Sequence, residues 1–437
     1  MRIIKQGQQK TFADTNQATV EKAVADALQS VRDHGDSAVR ELSGKFDGWT
    51  PDSFRLTDEQ IAGYIAELDE QTLEDLHTVQ NNVRRFAEAQ LGTLQDLEVE
   101  TQPGVFLGHR HVPIAATGAY IPGGRYPMMA SAHMTIITAK VAGVQRVVAC
   151  TPPIHGEVPA ATVAAAHFAG ADEIYVLGGV QAIAAMAIGT PSIAPVNMIA
   201  GPGNAFVAEA KRQMFGEIGI DLFAGPTEVL IVADDTADPL TVAVDLLSQA
   251  EHGPESPAVL VTTSDRVAQE TLDHIETLLP GMPTGDTAGQ AWRDYGQIVV
   301  CDGEDEMWEV SNGFASEHVQ IFTASPRDAL DRMHDYGALF LGEGTCVAYG
   351  DKVIGTNHVL PTLGAARYTG GLWVGKFLKT CTYQEVRDAE ASGELGRLCG
   401  RAARVENFDG HGRSGDLRAA KTLGDTFDWL EGINVRA

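Results

Sequence analysis

The sequence is short of positive charge. Its 437 residues carry 32 Lys and Arg against 59 Asp and Glu, a formal net charge of −27 with His neutral. A chain this acidic lacks the clustered bases that a phosphate backbone requires, which excludes a nucleic-acid partner. A small anionic substrate is not excluded, because a local basic pocket can sit in an acidic surface. Long apolar runs are missing as well. Nothing approaches about 18 consecutive apolar residues, so neither a transmembrane helix nor a membrane partner is expected. The segment from Met1 to Asp14 is polar and has no apolar stretch of the kind that marks a secretory signal. The five cysteines, Cys150, Cys301, Cys346, Cys381 and Cys399, are scattered with no CxxC pair. That is reduced-thiol usage, which points to the cytoplasm and away from a disulfide framework. The usual nucleotide fingerprints are also absent: no GxGxxG opens a helix after a strand, and there is no P-loop.

What is present is ample core material, 44% hydrophobic, in a chain long enough for two or three folding units. Residues 17–47 read as helix, with Val20, Val24, Ala27, Leu28 and Val31 at helical spacing and Asn16 placed to cap it. A second, charged helical stretch runs over 57–91. From about Val112 to Asp221 the texture turns Ala-, Gly- and Val-rich. Apolar runs at 146–149 (RVVA) and 173–177 (EIYVL) read as buried parallel strands, with helices at 134–142 and 160–169. A second α/β pattern follows, with strands at 228–233, 258–262, 296–300 and 319–323. This alternation marks open α/β sheets. Whether the two halves share a topology is not legible. Residues 372–437 show short helices, glycine breaks and no strong strand, and read as an appended arm.

Four Gly-rich turns lie at strand ends or between regular elements: GAYIPGG at 118–124, Gly178-Gly179, GPGN at 201–204 and AGPT at 224–227. One such turn is only a turn; four within about 110 residues suggest a ligand crevice of the kind found at strand ends in open α/β sheets. Gln249 and His252 are three apart and share a helix face, which suits two ligands of one metal, although a His before Gly253 is equally ordinary helix capping. Glu317-His318 sets a carboxylate beside an imidazole, a pairing useful as general base and water activator if it faces a crevice. Asp351 and His358 lie in the Gly- and Pro-bounded stretch YGDKVIGTNHVLP, and Glu406 and His411 lie in VENFDGH near the C-terminus.

Taken in order, GAYIPGG, GPGN, AGPTEVLIVAD, LLSQAEHG, SEH, GTNHVLPT, FLK and ENFDGH resemble the histidinol dehydrogenase family over about residues 15–412. The resemblance implies two open Rossmann-like α/β domains, a helical N-terminal segment and a small helical C-terminal arm. On that plan residues 1–19 are the N-terminal segment. Residues 20–115 and 228–370 form the first α/β domain with the zinc and catalytic residues, 116–227 form the NAD-binding domain, and 371–437 form a dimerisation arm. It also implies a cytoplasmic homodimer that oxidises a small-molecule primary alcohol to a carboxylate in two NAD-dependent steps through an aldehyde, using one zinc ion. The implied zinc ligands are Gln249, His252, Asp351 and His411. His318 is the implied base for the alcohol proton, and Glu317 the implied activator of water. The NAD positions are Tyr120, Gln181 and Asn204. The substrate positions are Thr227, His358 and Glu406, together with Gln249, His252, His318, Asp351 and His411. Exchange of the arm would bring Glu406 and His411 to the partner's site.

The sequence departs from the biosynthetic pattern where a pocket would change. Thr227 stands for the usual Ser, Ser316 and Gln320 alter the core around the Glu-His pair, and Trp373 and Lys376 replace a small polar residue and an acid. The stretch RYTGGLWVGKFLKT resembles the branch acting on 2,3-dihydroxypropane-1-sulfonate. Lys376, with Arg367 or Lys379, is therefore expected to favour an anion at the substrate site. L-histidinol is the alternative substrate, and another amino or hydroxy alcohol a third.

Overall fold

The computed structural model describes residues 1–8, 17–123, 127–223 and 225–435; the expected cap Asn16, Gly124 of the first glycine turn and Ala224 of the last lie outside these. The chain divides into two compact units, Met1–Leu91 with Ile114–Phe377, and Gly92–Pro113 with Leu378–Ala437. No helix among the described residues is long and apolar enough to cross a membrane.

The first unit holds two parallel sheets. In the five-stranded sheet, Glu173–Val176, Arg146–Thr151, Ala116–Tyr120, Met198–Ala200 and Gly219–Ile220 lie side by side in that order. Numbered by sequence this is 3-2-1-4-5, the Rossmann half-fold order. In the second sheet the parallel strands run Gly296–Val300, Ala258–Thr262, Val229–Ala233, His318–Phe322 and Ala338–Leu341, again 3-2-1-4-5, with Arg2–Lys5 added antiparallel on the outer edge. The two halves therefore share a topology that the residue-level sequence hides. Their central strands are buried on both faces, as in VLIVA and AVLVT, which is why they read as unbroken apolar runs.

The N-terminal helical stretch breaks at Gly35, which sits at φ 54° between helices Gln17–His34 and Asp36–Asp47. The second stretch also divides, into Asp58–Ala66 and Glu70–Leu91, the first closed by a reciprocal capping box between Thr57 and Gln60. The expected domain plan grouped residues 20–115 with the first α/β domain. The helices pack otherwise: Val24, Leu28, Val31 and Val39 share a core with Ile183, Met186 and Val207 of the five-stranded sheet's helices. The helix expected at 134–142 starts earlier, at Met129, and widens to a π-turn over His133–Ile137 before ending at Val141.

The second unit corrects the reading of the tail. Leu378–Val386 is a nine-residue strand paired antiparallel with Val105–Pro113, which pairs in turn with Leu97–Gln102. Its residues are almost all exposed, so there was no alternating apolar pattern to betray it. The helices Ala389–Val405 and Asp409–Leu423 are not short, and their glycines do not break them. A Cβ on Gly396 would stand 2.4 Å from the Gly415 carbonyl oxygen, so the glycines are where the two helices touch.

In the five-stranded sheet the loop after Met198–Ala200 is the tightest point. Gly201 sits at φ 124°, and a Cβ there would meet the Tyr120 carbonyl oxygen at 2.0 Å. Gly201→Ala is expected to cost about 2 kcal/mol or more of unfolding free energy, read as a lowered urea midpoint; an unchanged midpoint would show that the loop yields freely.

Candidate active site

The two sheets present opposite ends to one cleft. From the five-stranded sheet come Gly201, Pro202 and Gly203, beyond the carboxyl end of the strand Met198–Ala200. From the six-stranded sheet come Thr227, Glu317 and His318, at the amino ends of Val229–Ala233 and His318–Phe322. These two strands are neighbours and form the point where the strand order reverses. The cleft, about 140 Å³, is completed by His252, Asp351 and His358. The expected crevice at carboxyl ends thus holds for one sheet, while the other contributes its amino ends.

At the core of the cleft is a chain of hydrogen bonds. Gln249 Nε2 donates to Thr227 Oγ1 at 2.5 Å, and Thr227 Oγ1 donates to Glu317 Oε2 at 2.5 Å. The Glu228 amide donates to the same carboxylate oxygen at 3.0 Å. Glu317 is thereby fixed through one oxygen. His318, 2% exposed, sets Nδ1 3.1 Å from the Glu228 carbonyl oxygen, which can only accept, so Nδ1 carries a proton. Its Nε2 lies 3.5 Å from Asp351 Oδ1 and makes no hydrogen bond. Asp351 also approaches His252, Oδ2 to Nε2 at 3.9 Å.

The electrostatics follow from burial and pairing. Burial alone would lower the His318 pKa, but Glu317 and Asp351 prevail and push it up to about 10. Asp351 is opposed by burial yet held at about 2 by the adjacent His318 imidazole and by the Lys352 charge. Burial lowers His252 and His358, leaving both imidazoles neutral donors of a lone pair. Glu228 was not singled out from sequence. Burial, then the neighbouring Glu317 charge, pushes it up to about 8, and its Oε1 accepts from the Glu317 amide at 3.3 Å. The signal available was an acid placed directly before a fully apolar strand, VLIVA.

The expected metal ligands divide between the units. His252 and Asp351 line the cleft and Gln249 adjoins it through Thr227, and the donor set suits zinc. Gln249 is 1% exposed and its amide nitrogen is spent on Thr227, which turns its Oε1 into the oxygen left for a cation. Gln249 lies in the last turn of the helix Pro239–Ala250, whose negative dipole end also favours a cation. Among the described residues no group of three His, Cys, Asp or Glu forms a metal cluster by itself. His411 belongs to the second unit, on the helix Asp409–Leu423, with its ring 5.2 Å from that of Phe408; Glu406 lies there too, exposed at the end of the preceding helix.

The expected NAD positions lie at the five-stranded sheet's carboxyl edge. Tyr120 OH accepts from the Gly179 amide at 3.1 Å. Gln181 Nε2 donates to Asp47 at 2.8 Å while its Oε1 stays buried without a partner. Asn204 caps the helix Ala205–Met214. His358 is placed by Ser131, whose Oγ is 3.0 Å from its Nε2, a contact the sequence reading missed.

The expected basic group is not assembled in the cleft. Arg367 donates to the Gly313 and Gly364 carbonyl oxygens and lines a separate cavity with Glu228 and Tyr295. Lys376 is on the short turn Val374–Phe377, which packs on the helices Glu70–Leu91 and Thr138–Val141, and it is not among the cleft-lining residues. Lys379 belongs to the second unit.

Comparison with known proteins agrees with this geometry. The sequence pattern of a family described as histidinol dehydrogenase matches residues 10–419. A histidinol dehydrogenase homolog of Shouchella clausii is 57% identical over 418 residues, 96% of this chain and 98% of that protein. A sulfopropanediol 3-dehydrogenase of Ruegeria pomeroyi is 45% identical over 413 residues, 94% of each chain. The crystal structure of a histidinol dehydrogenase from Elizabethkingia anophelis superimposes with a TM-score of 0.88 at 31% identity, covering 97% of this chain and 94% of that one.

The raised His318 pKa sets a pH dependence. A raised base contributes stability fully present below its unfolded pKa, near 6.5, and lost as pH rises through the folded value of about 10. In protein stripped of metal by a chelator, urea midpoints should therefore fall between these limits, and fall less in Asp351→Asn. The Glu228 contribution is common to both proteins and cancels. Parallel profiles for the two would refute the pairing.

Proposed function

The chain belongs to the histidinol dehydrogenase family, NAD-dependent enzymes that take an alcohol to the acid, and on that premise we propose that it oxidises the terminal alcohol of 2,3-dihydroxypropane-1-sulfonate to sulfolactate. The observation that carries the substrate is the relative named sulfopropanediol 3-dehydrogenase, similar over 94% of both chains. The departures at Thr227, Ser316 and Gln320, in or beside the Glu317 and His318 segment of the site, agree with it.

Two hydrides leave the same carbon, one from the alcohol and one from the hydrated aldehyde. His318 Nε2 takes the alcohol proton, since Nδ1 is already committed to the Glu228 carbonyl. Glu317 presents its second oxygen to the water that adds to the aldehyde and takes a proton from it, while Thr227 and the Glu228 amide hold the first oxygen still. Tyr120, Gln181 and Asn204 mark the NAD edge. Gln249, His252 and Asp351 would hold zinc, which when bound polarises the substrate oxygen and takes up the Asp351 charge. His318 then loses the carboxylate that retains its second proton and returns toward the range of a working base. Purified enzyme is expected to form two NADH per dihydroxypropanesulfonate consumed. Turnover with histidinol alone would replace the substrate.

The first unit supplies three of the four zinc ligands that the family resemblance implies. We therefore propose a homodimer in which Glu406 and His411 serve the partner's site. Mixing Asp351→Asn with His411→Asn under conditions that exchange subunits should restore activity, because one hybrid site carries both lesions and the other carries none. Continued inactivity of a verified hybrid would place each arm on its own chain.

A further inference from the structure

The substrate proposed above carries a permanent anion, and the residues first expected to meet it do not line the cleft. Among the described residues lining the cleft and the cavity next to it, the permanent cations are Lys211 and Lys352. Lys211 is already spent: it is buried, donates to the Gly201 carbonyl oxygen at 2.9 Å and forms an ion pair with Asp221. Lys352 makes no ion pair or hydrogen bond with a described residue. It lines a cavity of about 440 Å³ with Thr72, Leu76 and His133, and Met128 is common to the walls of this cavity and the cleft.

The connection is built into one short helix. Asp351 and Lys352 are consecutive in Val347–Lys352, so their side chains leave about 100° apart, one into the cleft and the other into the neighbouring cavity. The Lys352 charge bears on His252, His358 and Asp351 of the cleft. The opposite wall offers a neutral donor. Gln80 Nε2 donates to the Ala165 carbonyl oxygen at 2.9 Å, which fixes that atom as the amide nitrogen, and it lies 3.0 Å from His133 Nδ1. His133 Nδ1 is therefore the acceptor, and the neutral ring carries its proton on Nε2. Burial lowers the His133 pKa to about 4, so the ring is neutral at physiological pH. Asp75 also lines this cavity; it is exposed, and Gln71 Nε2 donates to it at 3.0 Å.

We propose that this cavity is the subsite for the anionic end of the substrate, a sulfonate or carboxylate held by the Lys352 ammonium and the His133 Nε2–H. The proposal rests on the substrate reading above and moves specificity from Lys376 to Lys352. A charge-assisted contact of this kind discriminates by about 10- to 100-fold.

The test uses zinc-loaded enzyme and two substrates of opposite charge. Lys352→Gln should lower kcat/KM for dihydroxypropanesulfonate about 10- to 100-fold, mainly through KM, and raise it for cationic histidinol. Lys352→Arg should retain most of the sulfonate activity, and His133→Phe should lower it by removing the Nε2–H while keeping a planar ring. Opposite signs for the two substrates cannot come from a damaged fold. Losses of equal size for both, or no loss for either, would overturn the subsite. If the wild-type enzyme turns over histidinol and not the sulfonate, the substrate reading fails. The subsite then has no anionic end to hold and falls with that reading, whereas equal losses while the sulfonate is still turned over overturn the subsite alone.

Discussion

An imidazole and two carboxylates have been taken out of water together, and the surrounding architecture keeps them paired. His318, Glu317 and Asp351 are each at most 7% exposed. Burying a charge is costly unless it is paired and hydrogen-bonded, and removing one partner leaves the others uncompensated. This explains the investment around them. Thr227 and the Glu228 amide satisfy Glu317, the Glu228 carbonyl satisfies one edge of His318, and Glu228 itself accepts from the backbone of Glu317. The register between Val229–Ala233 and His318–Phe322 sets His318 opposite Val229, so the ladder that forms the sheet also aligns the buried charged groups. The site is as rigid as the sheet edge that carries it.

The parts of this fold that bury both faces were legible in the sequence. Runs such as AVLVT have one reading as strands of a parallel sheet, and the reading held at 258–262 and 296–300 to the residue. The strand Leu378–Val386 was illegible because its partners in the sheet, not a core, stabilise it, and nothing in LKTCTYQEV alternates. The glycines of the last two helices misled for a related reason. Glycine breaks an isolated helix, but here close helix contact requires it.

The candidate site was legible at the level of chemistry and less so at the level of specificity. The residues proposed to do the chemistry sit in short, distinctive segments such as SQAEH and SEH. The charge proposed to discriminate between substrates lacks such a frame. Lys376 attracted notice because it replaces an acid, yet a charge change in sequence says nothing about which wall the side chain lines. Lys352 adjoins Asp351 in sequence, and only the helix geometry shows that such neighbours line two different cavities. The acidity of the whole chain carried no information about either.

The two sheets repeat one strand order but offer opposite ends to the cleft. The loops on the side proposed for the cofactor follow strands, whereas the residues proposed to react precede them. Inheritance can therefore act on the two sides separately. Exchanging the residues that lead into the strands of the six-stranded sheet, or the helix end at Asp351 and Lys352, is expected to retune which alcohol is accepted while the proposed nucleotide edge stays as it was. Such a scaffold can diversify its substrates by drift on one side only, and a family built on it would be expected to contain many substrates and a single cofactor.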